Sequence, residues 1–293
     1  MRRHDSIAWS LATAAALLAA SAAAQSPSPD DARGAWMLGL GAEVDEDESE
    51  SLLATLYVGV GSSTWLTVVA GQSLSPADRA DIEADTLAIG VDHRFDKVGF
   101  TLEAERWGDS GALETQDFSS SVYFDRQRWR IGFGYETRDI EMPVTFTGPL
   151  GNTFRRTIDV SADRLSFDAR VAVGDSWQLY MGFAEHDYER KLNVLPRIAT
   201  LNLLSASTLT LANSFLDHER YLAFERELGR VTLNVRAATD RSAIDDSKFD
   251  TLEAAVLFPL GSRVDLEVNI GNGRSDFFDA GAYGGLLFLV YGR

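Results

Sequence analysis

Apolar and polar side chains alternate along most of this 293-residue chain, in segments of about ten residues. The clearest segment, residues 129–136, has two distinct faces. One face carries Trp129, Ile131, Phe133 and Tyr135, and the other carries Arg130, Gly132, Gly134 and Glu136. A period of two is typical of a β-strand with one apolar face. Fourteen such candidate strands follow one another from about residue 35 to the end of the chain.

The breaks between candidate strands are alternately short and long. Short breaks fall at 61–63, 95–97, 125–127, 173–175, 229 and 259–262; long breaks fall at 45–50, 73–85, 108–114, 138–160, 187–215, 240–248 and 272–279. This alternation is typical of an up-and-down transmembrane barrel, whereas a soluble β-sandwich has no reason to keep it. A closed barrel also satisfies every backbone polar group in lipid. We therefore predict an all-β, antiparallel transmembrane barrel of about 14 strands (12 to 16) over residues 35–293.

The N-terminus has the pattern of an export signal. Arg2 and Arg3 precede an apolar run from Ile7 to Ala20, and small residues end at Ala24. This order predicts a signal peptide over residues 1–24. The apolar run is shorter than the ~20 residues that a membrane-spanning helix needs. Residues 25–34 are predicted to be a polar periplasmic leader, and the barrel is assigned to the outer membrane of a Gram-negative cell.

Composition narrows the partners. The chain has no Cys, so disulfides do not contribute to its stability, and its net charge of −17 argues against a nucleic-acid partner. The expected partners are outer-membrane lipid, lipopolysaccharide and small solutes. The oligomeric state is left open.

Aromatic residues stand close to the short breaks, as in the interfacial girdle of a membrane protein. Four tryptophans begin candidate strands and four other aromatics end them: Trp36, Trp65, Trp129, Trp177, Phe95, Phe124, Phe258 and Tyr291. We expect all eight to lie at one membrane interface.

The final segment, from Tyr283 to Tyr291, resembles the terminal strand of Gram-negative, porin-like outer-membrane proteins. Apolar Leu287 and Leu289 precede the aromatic Tyr291 at alternate positions. The chain departs from that class in ending with Gly292 and Arg293, where a terminal Phe is usual. The resemblance implies that the barrel-assembly machinery is a partner.

Charged residues on the polar faces are the candidate pore-lining side chains. They are Arg130, Arg138, Arg164, Asp168, Arg170, Arg236, Glu43, Glu103, Glu105, Glu253, Asp265 and Glu267. Arginines of the seventh and eighth strands would face acids of the first and thirteenth, giving a transverse field across the lumen. The alternative is that the charges pair locally and fill a closed lumen. Inward glycines (Gly39, Gly59, Gly90, Gly132, Gly134, Gly182, Gly271) would keep the wall thin.

Three functions compete. The favoured one is passive diffusion of small hydrophilic solutes through a pore, gated by the long links 138–160 or 187–215. The alternatives are uptake of an apolar ligand through the unusually apolar 187–215 loop, and a mainly structural barrel.

An outer-membrane enzyme is the remaining class. His186 and His218 lie near Ser205, Ser207 and Ser214 in the sequence, so a Ser–His pair is conceivable. Neither histidine stands in a motif that resembles known outer-membrane hydrolases. We therefore predict no enzymatic activity, no cofactor and no metal site.

Overall fold

The computed structural model describes residues 34–46, 49–75, 82–109, 113–147, 153–189, 215–243, 246–275 and 281–292. The predicted signal peptide 1–24, nearly all of the predicted leader, and most of the 187–215 loop lie outside these residues. No helix among the described residues is long and apolar enough to cross a membrane.

Fourteen antiparallel strands make up the fold. They are β1 (Trp36–Asp45), β2 (Glu50–Gly59), β3 (Thr64–Ser75), β4 (Ile82–Phe95), β5 (Val98–Asp109), β6 (Leu113–Arg126), β7 (Trp129–Thr147), β8 (Thr153–Val173), β9 (Trp177–Tyr188), β10 (Leu216–Leu228), β11 (Val231–Ser242), β12 (Lys248–Pro259), β13 (Val264–Ser275) and β14 (Gly281–Gly292). Each strand pairs with its sequence neighbours, and β1 pairs with β14 from Trp36↔Gly292 to Asp45↔Tyr283. The predicted closed up-and-down barrel is confirmed.

The two faces of the barrel differ as the period-two pattern requires. Phe133 and Leu165 on the outer face are 64% and 66% exposed, whereas Glu136 on the inner face is buried. Large exposed apolar side chains of this kind recur on the outer face of every strand except β11, where the outer Val231, Leu233 and Val235 are partly buried. Together they form a belt suited to lipid. On β3, which is apolar on both faces, exposure of Leu66 and Val68 identifies the outer side.

The aromatic girdle is smaller than predicted. Trp36, Trp129 and Trp177 lie on the outer face, and Phe124 stacks on Trp129 with 5.4 Å between ring centroids. Trp65 instead falls on the inner parity of β3, and Tyr291 points inward to donate a hydrogen bond to Asp265. The prediction is wrong for these two because proximity to a turn fixes height in the membrane but not the face.

The link predicted at 138–160 is mostly strand. The β7–β8 pairing continues to Thr147↔Thr153, so only 148–152 remain between the strands. Outward Asp139, Glu141 and Asp159 gave the segment the composition of a loop. Alternate inward residues Ile140 and Val160 are apolar and nearly inaccessible, which explains why pairing persists.

An apolar cluster fills part of the barrel interior at the end with the long links. It comprises Ala84, Trp107, Leu113, Ile140, Met142, Val160 and Phe215. Phe215, which follows the 190–214 segment, has no exposed surface at all. This end of the β4–β10 wall is therefore held by side-chain packing as well as by strand pairing.

Candidate functional site: the inner wall of the barrel

The inner face of the described strands is rich in carboxylates. Inward acids are Glu43, Asp45, Asp92, Glu103, Glu105, Asp117, Asp125, Glu136, Asp168, Glu219, Glu225, Glu227, Asp240, Glu253, Asp265 and Glu267; inward bases are Arg94, Arg130, Arg138, Arg164, Arg170 and Arg236. All twelve residues singled out in the sequence belong to this set. The acids clearly outnumber the bases, so the inner wall is electronegative overall.

A continuous chain of ion pairs crosses one side of this wall. Arg138 joins Asp117 and Glu136, with closest N–O distances of 2.7 and 3.2 Å. Arg164 then links Glu136 to Glu219 at 3.0 and 3.3 Å. Arg236 ends the chain 3.2 Å from Glu219. Six charges of alternating sign thus connect β6, β7, β8, β10 and β11.

The other three inward arginines lie nearer the short turns, and each also contacts a carboxylate or an aromatic ring. Arg94 and Arg170 each lie 3.4 Å from Asp125. The Arg130 guanidinium lies 3.7 Å from the ring centroid of Tyr123, a cation–π contact. The Tyr123 hydroxyl in turn donates to Asp92 at 2.9 Å.

These contacts favour local pairing over the expected transverse field. Arg138, Arg164 and Arg170, on the strands predicted to form the basic wall, all have carboxylate partners on β6, β7 or β10. Arg236 on β11 is likewise paired, with Glu219. The partners Asp117, Asp125 and Glu219 were missed in the sequence, although their inward parity was available there.

The opposite wall holds carboxylates whose oxygens are less well satisfied. Both carboxylate oxygens of Glu43 are buried without a hydrogen-bond partner in the described structure, as are one oxygen of Glu253 and the amide oxygen of Asn269. The second Glu253 oxygen accepts a hydrogen bond from Tyr283 at 3.2 Å. Such groups are costly unless a polar partner reaches them.

Small polar residues surround an accessible stretch of the interior. Glu103 on β5 is exposed to solvent although its side chain lies on the inner face of the barrel. One of its carboxylate oxygens would lie 3.3 Å from a Cβ built on Gly90 of the neighbouring strand β4. Its cross-strand partner is Ser119. The same stretch of inner wall carries Thr67, Gly90, Thr101, Ser119, Ser121 and Gly134. These short side chains leave room for solvent around Glu103.

A second apolar cluster lies inside the barrel near the short turns. Met37, Leu257, Leu287 and Leu289 pack together there, with Tyr57 and Tyr291 against them. At this end of the barrel, the inner wall therefore has an apolar side on β12, β14 and β1, next to the acids Asp265 and Glu267 of β13.

Neither His186 nor His218 has a serine partner among the described residues. His186 is buried on β9 beside Tyr188, and the Nδ1 atom of His218 lies 3.1 Å from Asp217. Ser205, Ser207 and Ser214 lie outside the described residues. In the part of the chain that is described, no three His, Cys, Asp or Glu side chains are placed to hold a metal ion.

Comparison with known proteins adds fold-level relatives. No protein-family model matches the chain, and no curated protein matches it. Among solved structures it is similar to the CymD monoaromatic hydrocarbon channel, with 8% identity, a TM-score of 0.54 and coverage of 88% of both chains. It is also similar to OmpTdeltaL8, a loop-deletion mutant of an outer-membrane protein of Vibrio cholerae (10% identity, TM-score 0.49, 88% and 98% coverage). Acinetobacter baumannii OccAB1 is a third (7% identity, TM-score 0.45, 90% and 99% coverage).

The closed antiparallel barrel, its exposed apolar belt and the likeness to CymD define the class. The chain has the transmembrane β-barrel fold of Gram-negative outer-membrane proteins, the architecture that porins and channels share. At this level of identity the likeness concerns the fold alone.

Proposed function

We propose that this protein is a passive outer-membrane channel for small hydrophilic solutes. The observation that carries the proposal is the exposure of Glu103 on the inside of a closed barrel. A charged side chain surrounded by serine, threonine and glycine indicates space that water fills. Fourteen strands also enclose more volume than the roughly eight-stranded barrels that side chains fill.

The twelve candidate residues fit this proposal as pore-lining groups. Their side chains hold water and charge along the inner wall, while the outer belt contacts lipid and, in the outer leaflet, lipopolysaccharide. The terminal strand β14 (Gly281–Gly292) would serve as the segment recognised by the barrel-assembly machinery.

Two variants at neighbouring positions on β6 test the proposal in planar lipid bilayers. Ser119 faces the interior beside Glu103, and Ser120 lies on the outer face. Ser119→Trp should lower the single-channel conductance at least about twofold, because the narrowest section of a pore limits its current. Ser120→Trp, which adds the same side chain to the lipid face, should conduct like the parent. Absence of single-channel steps in the parent would contradict the proposal.

Uptake of an apolar ligand is the second candidate. The apolar side of the inner wall, formed by Met37, Leu257, Leu287 and Leu289, is the observation that favours it. A barrel of this kind would be silent in the bilayer assay and would quench Trp65 fluorescence on binding an apolar probe. A barrel that only stiffens the envelope would show neither response.

A further inference from the structure

We propose that the inner wall carries a binding site for small hard cations, formed by Glu43, Glu253 and Asn269, and that the channel prefers cations because of it. The preference rests on the proposed channel function, whereas the site itself does not.

The first argument is the meeting of three side chains around a glycine. Glu43 on β1 is paired with Gly285 on β14, which is paired with Asn269 on β13. A Cβ built on Gly285 would lie 2.7 Å from the Asn269 amide oxygen and 3.1 Å from Cγ of Glu43. The missing side chain therefore lets Glu43 and Asn269 converge. Asn269 also interacts with the Glu253 carboxylate of β12.

The second argument is the state of the oxygens. Glu43 is 5% exposed, and neither of its oxygens has a hydrogen-bond donor among the described residues. Glu253 is 3% exposed and has one free oxygen, and the Asn269 amide oxygen is also free. Glu43 and Glu253 repel each other across the gap. These four acceptor oxygens, none of which has a donor among the described residues, are the environment that a hard cation stabilises.

The third argument is that the protein's own cations are engaged elsewhere. Arg138 and Arg164 are held in the ion-pair chain, and Arg170 by Asp125. Arg236 attracts Glu253 but has its contact with Glu219. Among the described residues, Glu43 is therefore left without a basic side chain bonded to its oxygens, and a mobile cation would supply the missing positive charge.

The oxygen ligands that these three side chains offer indicate weak rather than tight binding of the cation. Two carboxylates and one amide do not make the three-acid cluster that holds a structural metal, and the described residues contain no such cluster. A site in a conduction path must also release its ion, so moderate affinity is the useful range. Alkali ions and Ca²⁺ fit this chemistry, because they accept oxygen ligands with flexible geometry.

Terbium luminescence tests the site without any conduction. Tb³⁺ replaces Ca²⁺ at sites formed by oxygen ligands. Tyr283 donates a hydrogen bond to Glu253 and is therefore placed to sensitise the emission of a bound Tb³⁺ ion. In the detergent-folded protein, Ca²⁺ should displace this signal. The Glu43→Gln/Glu253→Gln variant should bind Tb³⁺ roughly tenfold more weakly, because ligand charge sets the affinity of such sites. Each single Gln variant provides the same reading if the double variant does not fold.

The control is Glu225→Gln. Glu225 is another buried inward carboxylate, but its oxygens accept hydrogen bonds from Gln178 and Tyr180 at 3.0 and 3.3 Å. Its variant should bind Tb³⁺ like the parent. Equal binding by all variants, or equal loss in all of them, would overturn the site.

Reversal potentials measured in a KCl gradient test the proposed preference of the channel for cations. The parent should favour K⁺ over Cl⁻, the double variant should move toward equal permeability, and Glu225→Gln should stay closer to the parent. An anion-selective parent, or an unchanged ratio in the double variant, would overturn the inference. Specific Tb³⁺ binding with no current at all would contradict the channel function and leave the site standing.

Discussion

At the scale of single residues, several charged side chains of the inner wall are stabilised by ion pairs. Arg138 contacts Asp117 and Glu136, and Arg164 shares Glu136 with it. Removing one member leaves buried carboxylates without their counter-ion, which costs more than the pair contributes. The ion-pair chain is therefore expected to respond strongly to loss of a single arginine.

Arg138→Met should lower the free energy of unfolding by about 1–3 kcal/mol, because Asp117 loses its charged partner and Glu136 keeps only Arg164. Urea titration of the detergent-folded protein, followed by tryptophan fluorescence, measures the change. Arg106→Met is the control, since Arg106 makes an equally short pair with Glu114 but is 59% exposed. It should change stability little. Equal effects at the two sites would contradict the buried-network interpretation.

The face of each residue was predictable from the sequence, but its partners were not. Alternation alone places Arg164 and Glu219 on the inner face. Their 3.3 Å contact spans an intervening strand, β9. Such contacts depend on the tilt and stagger of the strands, which the pattern of apolar residues does not encode. That the twelve candidate residues line a conducting pore stays a prediction.

At the scale of strand pairs, Gly182 and Gly271, expected to keep the wall thin, instead make room for aromatic rings, as Gly99 also does. Gly99, Gly182 and Gly271 lie directly opposite Tyr123, Tyr221 and Tyr283. In each case the tyrosine ring occupies the space where a glycine Cβ would stand. Covering a strand glycine with a cross-strand aromatic ring stabilises the pair and fixes its register.

Gly271→Ala tests this role on the β13–β14 pair. The added methyl group must displace the Tyr283 ring and its hydrogen bond to Glu253, which should cost about 1–3 kcal/mol. Gly39→Ala is the matched control, because its Cβ would meet Leu289 at an ordinary 3.4 Å. Thermal unfolding followed by the heat-modifiable gel shift compares the two. A Gly271→Ala protein as stable as Gly39→Ala would refute the packing argument.

Strand existence was easier to predict than strand length. The sequence indicates fourteen strands, and fourteen are present. The β7–β8 hairpin was cut short in the prediction because exposed acids at 139, 141 and 159 resemble a loop. Inward Ile140, Met142 and Val160 continue the strand pattern there, and their burial in the apolar cluster is a tertiary effect.

At the scale of the whole molecule, the account depends on a barrel that is apolar outside and wet inside. Three consecutive serines on β6 sample both environments: Ser119 and Ser121 face inward, and Ser120 faces outward. The chain contains no cysteine, so single substitutions introduce a unique reactive group. A water-soluble thiol reagent therefore reports directly which positions meet water.

The decisive measurement is the labelling of Ser119→Cys, Ser120→Cys and Ser121→Cys in proteoliposomes with a charged methanethiosulfonate. We predict fast labelling at 119 and 121, slow labelling at 120, and a fall in conductance only where the inner positions react. Equal labelling at all three positions, or labelling of 120 alone, would contradict the water-filled barrel and the channel function proposed for it.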